Sequence, residues 1–76
     1  MNYRDILDGQ ARADVEKYVP RKPLFTISET AKLANRSPRW VARFMESGAL
    51  PFIMLGGVRM ITRAAIVALL TGELKP

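Results

Sequence analysis

Two arginines four positions apart have the residue type and spacing best suited to chemistry in this sequence. Arg39 directly follows Pro38, and Glu46 comes three positions after Arg43. On a helix, this spacing places Arg39, Arg43 and Glu46 on one face. A guanidinium can donate two parallel hydrogen bonds to a base edge or to a phosphate, so this face predicts nucleic-acid recognition. The alternative is a pair of ordinary solvated arginines, one of them paired with Glu46.

The composition excludes most other chemistries. The 76 residues contain no cysteine and no histidine, which excludes a disulfide framework, a zinc finger, a Cys/His nucleophile and an imidazole base. We therefore expect a protein that is not an enzyme, with no catalytic residue, no metal and no other cofactor. The length fits a single small domain. Because no apolar run approaches the roughly 18 to 20 residues that cross a bilayer, we expect a cytoplasmic protein without membrane contact.

Positive charge is concentrated in the middle of the chain. Residues 1–20 carry three basic and four acidic side chains, whereas residues 21–63 carry eight basic and only two acidic ones. This excess favours a polyanionic partner such as double-stranded DNA. The alternative is that the charge only solvates the surface of a small domain.

Two start signals predict a pair of short helices around a tight turn. The stretch from Thr26 to Glu29 is a capping box, and the helix that it starts should end near Asn35. Ser37-Pro38 combines an N-cap serine with a proline at the first helical position. The second helix should cover residues 38–47 and stop at Gly48. Together these segments predict a helix-turn-helix with the two arginines on its second helix.

A β-hairpin should follow the second helix. Residues 52–55 and 58–61 are β-prone, and the Gly56-Gly57 link between them suits a two-residue turn. Both faces of this hairpin are mostly apolar, which a solvated wing would not need.

Helices are expected at both ends of the chain. Thr62 should cap a last helix over residues 63–71, and this helix is apolar on nearly every side. Residues 10–19 have helical apolar spacing, Ile6-Leu7 ahead of them suggests a separate short turn, and Pro20 stops the helix. We predict an N-terminal helical appendage at residues 1–20 and a winged helix-turn-helix domain at residues 21–76, mainly α with a small β-hairpin. The surplus apolar residues predict a surface for self-association or for a partner, made by the last helix, the outer face of the wing or the N-terminal helix. The alternative is a core helix that leaves some alanine and valine exposed.

Several motifs between residues 24 and 70 occur in a characteristic order. A hydrophobic pair before threonine, an acidic residue, a small turn and a serine-capped helix are followed by Ser-Gly-x-Leu-Pro, a Gly-Gly hairpin and a last helix. This order resembles the excisionase-like helix-turn-helix family, small winged-helix proteins related to the DNA-binding domain of the MerR regulators. The features that carry the resemblance are Leu24-Phe25-Thr26, Glu29, Asn35, Ser37, Arg43, Ser47-Gly48-Ala49-Leu50-Pro51, Gly56-Gly57 and Ile61.

The resemblance implies a phage recombination directionality factor. Such a protein binds attachment-site DNA, bends it and steers a tyrosine or serine integrase toward excision. By resemblance, the second helix enters the major groove with Pro38, Arg39, Trp40, Ala42 and Arg43. The wing, with Gly56, Gly57 and Arg59, approaches the neighbouring minor groove or backbone. Lysine and arginine side chains supply phosphate contacts through counterion release, and the candidates are Arg21, Lys22, Lys32, Arg36, Arg59 and Arg63.

The chain departs from the family pattern in three places. Met54, Val58 and Met60 occupy wing positions where basic residues are common, and Ala64-Ala65 replaces an acidic pair. These changes favour protein contacts at the wing and the last helix. Trp40 occupies a position where a small polar residue is common. Its ring could pack on DNA, or it could anchor the second helix against the core.

The sequence is compatible with three functions. An excisionase would assemble head to tail on repeated sites and recruit an integrase. A small phage or bacterial transcriptional regulator would bind an inverted repeat as a symmetric dimer through its N-terminal helix. A protein-interaction adaptor would keep the fold without binding DNA. Because one module forms only a small DNA interface, the first two functions require several copies.

Overall fold

The fold is a winged helix-turn-helix, as predicted. The computed structural model describes the backbone of residues 3–75 and the side chains of residues 11–75. This part of the chain forms mainly helices with one antiparallel sheet: α1 (Tyr3–Tyr18), β1 (Leu24–Phe25), α2 (Ile27–Ala34), α3 (Pro38–Glu46), β2 (Ile53–Leu55), β3 (Val58–Thr62) and α4 (Arg63–Leu70). No helix within residues 3–75 combines the length and the apolar character required to cross a membrane.

The capping signals are confirmed at α2 and α3. The Thr26 hydroxyl accepts the backbone N–H of Glu29 at 3.1 Å, and the Glu29 carboxylate accepts the backbone N–H of Thr26 at 3.0 Å. Asn35 ends α2 in the left-handed conformation, with φ of 54°. The Ser37 hydroxyl then accepts the Trp40 N–H at 3.2 Å and starts α3. The left-handed backbone of Asn35 and the hydroxyl of Ser37 therefore fix the two ends of the turn.

The predicted hairpin is also confirmed. Ile53 pairs with Met60 and Leu55 pairs with Val58, while Gly56 and Gly57 have φ of 58° and 82°. Positive φ at both central positions is the requirement that favours a Gly-Gly link in a two-residue turn.

The sheet has a third strand, β1, that was not predicted from the sequence. In β1, Leu24 pairs with Thr62 and Phe25 pairs with Ile61, which gives the sheet order β1-β3-β2. A two-residue strand has no periodicity that a sequence pattern could reveal. The C-terminal end of β3 is thus paired with β1, and its N-terminal end extends into the wing.

The N-terminal helix is longer than predicted. A separate turn at residues 6 and 7 is wrong, because α1 runs without interruption from Tyr3 to Tyr18. The end of this helix packs on α4, and Val19 is 1% exposed in the common core. This contact explains how the apolar α4 is covered, since Ala65, Ile66, Val67 and Leu69 are all buried. The division into an appendage and a domain after residue 20 stays a prediction.

Candidate nucleic-acid interface

Helix α3 has the two faces that its sequence predicts. Val41, Phe44 and Met45 are buried, whereas Arg39 and Arg43 are exposed. We call the exposed side, with Arg39, Trp40, Ala42, Arg43 and Glu46, the arginine face. The buried side fixes the helix to the core, so the arginines project from a rigid element.

The arginine face is concave. The hollow is lined by Arg39, Trp40, Ala42, Arg43 and Glu46, together with Ser37 at the start of the helix. It therefore contains four of the five residues predicted to face a groove. Pro38, the fifth, is exposed in the first turn of α3.

The arginines of this face are not neutralised by neighbouring carboxylates. Within residues 11–75, neither Arg39 nor Arg43 forms a salt bridge, and the ion pair with Glu46 that the sequence allowed does not form. Each guanidinium keeps its planar set of N–H donors available. The face can therefore donate to base edges or to phosphates.

Trp40 serves as a packing anchor at the edge of the arginine face. It is half-buried, and its ring centroid lies 4.7 Å from that of Phe44 at an interplanar angle of 54°. Arg36 lies in the turn between α2 and α3, and its guanidinium is 5.6 Å from the centroid of the Trp40 ring. A cation at this distance from an indole ring is attracted to it, so Trp40 holds Arg36 beside the arginine face.

Lys22 is one of the predicted phosphate ligands, and it has a partner within the chain. Its ammonium group forms a salt bridge with Glu29 and lies 4.9 Å from the centroid of the Phe25 ring. The Lys22 hydrogen bond, followed by that of the Thr26 N–H, holds the pKa of the Glu29 carboxyl below its ordinary value. Lys22 thus stabilises the capping box that starts α2.

Arg63 contacts the end of α1. Its Nε donates to the carbonyl oxygen of Pro20 at 3.3 Å, and its Nη2 donates to the carbonyl oxygens of Glu16 and Val19. A cation at a helix C-terminus satisfies carbonyls that have no partner within the helix. Sequence reasoning missed this role because it depends on where the tertiary fold places α1. A phosphate contact by Arg63 stays a prediction.

The other cations that were predicted to contact phosphates lie on separate elements. Arg21 precedes β1, and Lys32 is on α2, and both are exposed. Arg59 is on the wing, where its guanidinium lies 5.1 Å from the centroid of the Phe52 ring. Of the predicted DNA contacts, Arg39 and Arg43 lie on α3, and Arg36 lies against it through the Trp40 ring.

The tip of the wing is narrow and open. A Cβ added at Gly56 or Gly57 would meet nothing within 4 Å. Their positive φ, rather than crowding, accounts for glycine at both positions. Arg59 is the single charged residue in the hairpin from 52 to 61.

The helix pair, the exposed arginines on its second helix and the hairpin that follows define a winged helix-turn-helix DNA-binding domain. A family model described as a helix-turn-helix domain matches residues 24–73. The chain belongs to this family, which includes excisionase-like DNA-binding proteins and whose members are typically non-enzymatic. No curated protein and no solved structure matched the chain.

Proposed function

We propose that this protein is an excisionase, a recombination directionality factor that recognises attachment-site DNA through the arginine face of α3. The observation that carries the proposal is the pair Arg39 and Arg43, which are exposed and form no salt bridge within residues 11–75, on a helix whose opposite side is buried. Arginine at such positions reads guanine through its O6 and N7 atoms.

The other residues of the face fit the same groove. Ala42 and the ring of Trp40 offer apolar contact to a thymine methyl group, and Glu46 can accept from a cytosine amino group. Pro38 and Ser37 bring the N-terminus of α3 toward the phosphate backbone, where a helix start favours an anion. Sequence preference would therefore come from one short helix.

Phosphate contacts would supply most of the affinity. Arg36 lies beside the arginine face, and Arg21, Lys32 and Arg59 extend the positive charge to other elements. Each phosphate that is neutralised contributes about −0.9 to the slope of log affinity against log salt concentration. A single module of this size buries only roughly 600 to 1,000 Å² on DNA, so useful specificity requires several copies on one site.

The excisionase role is supported by the family, which includes excisionase-like proteins. Copies bound side by side would bend the DNA and give an integrase, of the tyrosine or serine type, a substrate shaped for excision. The second candidate is a small transcriptional regulator that binds as a dimer. The exposed apolar side chains of the wing favour an assembly of some kind, and both candidates require one.

Selection of binding sites from a random duplex pool at moderate salt tests DNA recognition. We expect enrichment of a short half-site that contains guanines and occurs more than once in each selected duplex. An Arg39→Ala, Arg43→Ala double variant is the matched control, and it should enrich nothing. A pool that shows no enrichment with the unchanged protein would refute sequence-specific binding.

A recombination assay separates the two roles. The selected sequence is placed in the attachment site of an integrase, and the ratio of excised to integrated product is measured with and without the protein. A shift toward excision supports the excisionase, whereas bound DNA with an unchanged product ratio supports the regulator.

A further inference from the structure

The outer edge of the wing has a strand that is free to pair. Within residues 3–75, the sheet order β1-β3-β2 leaves β2 with one neighbouring strand. Its three residues, Ile53, Met54 and Leu55, are 47%, 57% and 56% exposed. Natural edge strands are commonly protected by charge, by proline within the strand or by a bulge. Residues 53–55 contain neither charge nor proline and pair in continuous register with β3.

The side chains around this edge form an uncharged apolar surface. We call it the wing patch, and its members Phe52, Ile53, Met54, Leu55 and Val58 are between 37% and 57% exposed. No acidic residue occurs between Glu46 and Glu73, and the cation within the hairpin is Arg59, whose guanidinium lies 5.1 Å from the centroid of the Phe52 ring. A surface of this kind can meet an identical surface without repulsion between like charges.

We propose that two copies of this chain pair through β2, antiparallel about a two-fold axis, when DNA holds them side by side. In this register, Met54 faces Met54 of the second copy and Ile53 faces its Leu55. Backbone hydrogen bonds continue the sheet across the axis, and the wing patches of both copies become covered.

A contact made through one apolar patch of ordinary size is too small to hold two copies together without DNA. An apolar patch on a small protein typically measures about 300 to 600 Å², which is less than the about 800 Å² per partner of a standard stable interface. The chain should therefore be a monomer at micromolar concentration. Two copies on neighbouring sites have an effective concentration of up to about millimolar, which is sufficient for a weak contact. The inference thus depends on the proposed DNA binding.

This arrangement differs from both assemblies that the sequence suggested. A two-fold contact is not head to tail, and it uses the wing rather than the N-terminal helix. It requires paired sites in inverted orientation. An excisionase and a regulator can both be built from such pairs, so the recombination assay still decides the role.

Single cysteine variants test the contact, because the natural chain has no cysteine. Residues that face each other in antiparallel strands have Cα atoms about 4.5 to 5.5 Å apart, which lies within the span of about 4.4 to 6.8 Å that a disulfide bridges. Met54→Cys should therefore cross-link two copies under mild oxidation on a duplex with two inverted half-sites. The yield should fall on a duplex with one half-site.

Val58→Cys is the matched control. Val58 is 53% exposed, close to the 57% of Met54, but it lies on the inner strand β3. Three strand spacings, about 14 Å, would separate it from its counterpart in the second copy. We expect at least a tenfold lower yield than for Met54→Cys. Equal yields, or no Met54→Cys cross-link on a duplex that holds two copies, would overturn the proposal.

A neutral substitution separates this contact from DNA binding itself. Met54→Gln keeps the length of the side chain and should leave the affinity for a single half-site unchanged. On two half-sites, the unchanged protein should bind with a cooperativity factor of roughly ten, and the variant should lower this factor toward one. A loss of single-site affinity would instead assign the wing patch to DNA and overturn the proposal. If the unchanged protein binds no DNA, the proposed function fails, and oxidation of Met54→Cys at millimolar protein without DNA still tests the contact.

Discussion

The helix pair α2 and α3 and the wing β2 and β3 are held in the fold by different means. The helix pair is fixed by Thr26 at the start of α2 and by Asn35 and Ser37 on the two sides of the turn, and one side of each helix packs on the core. The wing is fixed at its base, where Ile61 is 0% exposed, while the strand residues nearest its tip are exposed on both faces. The polar surface is thus on the rigid part, and the surplus apolar surface is on the projecting part.

This difference indicates how the two parts share the work of binding. A direct contact with base edges requires side chains held within fractions of an ångström, and capped, core-packed helices provide such positions. A hairpin that projects from the body can adjust to a partner at little cost to the fold. The predictions that follow test this division, from the largest expected effect to the smallest.

The largest effect should come from the base of the wing. Ile61→Ala removes a fully buried side chain next to β1, and we expect it to lower the free energy of unfolding by about 2 to 5 kcal/mol. Leu55→Ala, near the tip and 56% exposed, should change it by less than about 0.5 kcal/mol. Chemical denaturation of both variants measures the contrast. Similar losses would mean that the whole wing belongs to the core.

The arginine face should determine sequence preference. Arg43→Ala should remove about 1 to 3 kcal/mol of discrimination at one base pair. Arg43→Lys is the matched control, since it keeps the charge and loses the planar two-donor contact. It should retain affinity for unrelated DNA and still lose the preference.

The single wing cation should behave differently from the arginines of α3. Arg59→Ala should weaken binding to all sequences alike and reduce the salt slope by about one unit. Titrations of the selected and a scrambled duplex at several salt concentrations measure both variants. A loss of preference in Arg59→Ala, with none in Arg43→Ala, would reverse the division between helix and wing.

The cap at the turn should contribute a smaller amount. Ser37→Ala removes the acceptor for the Trp40 N–H and should destabilise the fold by about 1 kcal/mol. Ser28→Ala provides a matched substitution, because Ser28 is exposed in the first turn of α2, where Thr26 and not Ser28 is the N-cap acceptor. Thermal unfolding of the two variants compares them, and equal melting temperatures would show that the cap is unnecessary.

The smallest effect should appear on acidification. The pKa of Glu29 is lowered in the fold by Lys22 and by the Thr26 N–H, so its ionised form stabilises the helix pair. This contribution is complete above the ordinary pKa of a glutamate and is lost as the pH falls through the lowered value. Glu29→Gln keeps a capping-box side chain without the charge, and it should flatten the acid side of the melting-temperature profile. An unchanged profile would refute this assignment.

Local signals in the sequence predict most of the helix pair and the hairpin. Thr26, Ser37 and Gly56-Gly57 act on neighbouring backbone groups, so their effect can be read from a few adjacent residues. The two faces of α3 follow from its helical period alone. Candidate contacts with DNA could be named for the same reason, and they remain predictions.

Features that depend on distant segments could not be read in this way. The strand β1 exists because Phe25 meets Ile61, far along the chain. Arg63 looked like a surface cation, and its three carbonyl acceptors belong to the last turn of α1 and to the two residues that follow this helix. The start of α1 was misplaced because Ile6-Leu7 suggested a separate turn, whereas the helix runs from Tyr3 without a break.

The position of Trp40 provides an optical probe that needs no label. It is the single tryptophan of the chain, and it lies between the Phe44 ring and the Arg36 guanidinium at the edge of the arginine face. Emission excited beyond the tyrosine absorption band therefore reports from α3 alone. The same tryptophan emission would report DNA binding through its quenching by the duplex and unfolding through its red shift, and both measurements use the unmodified protein.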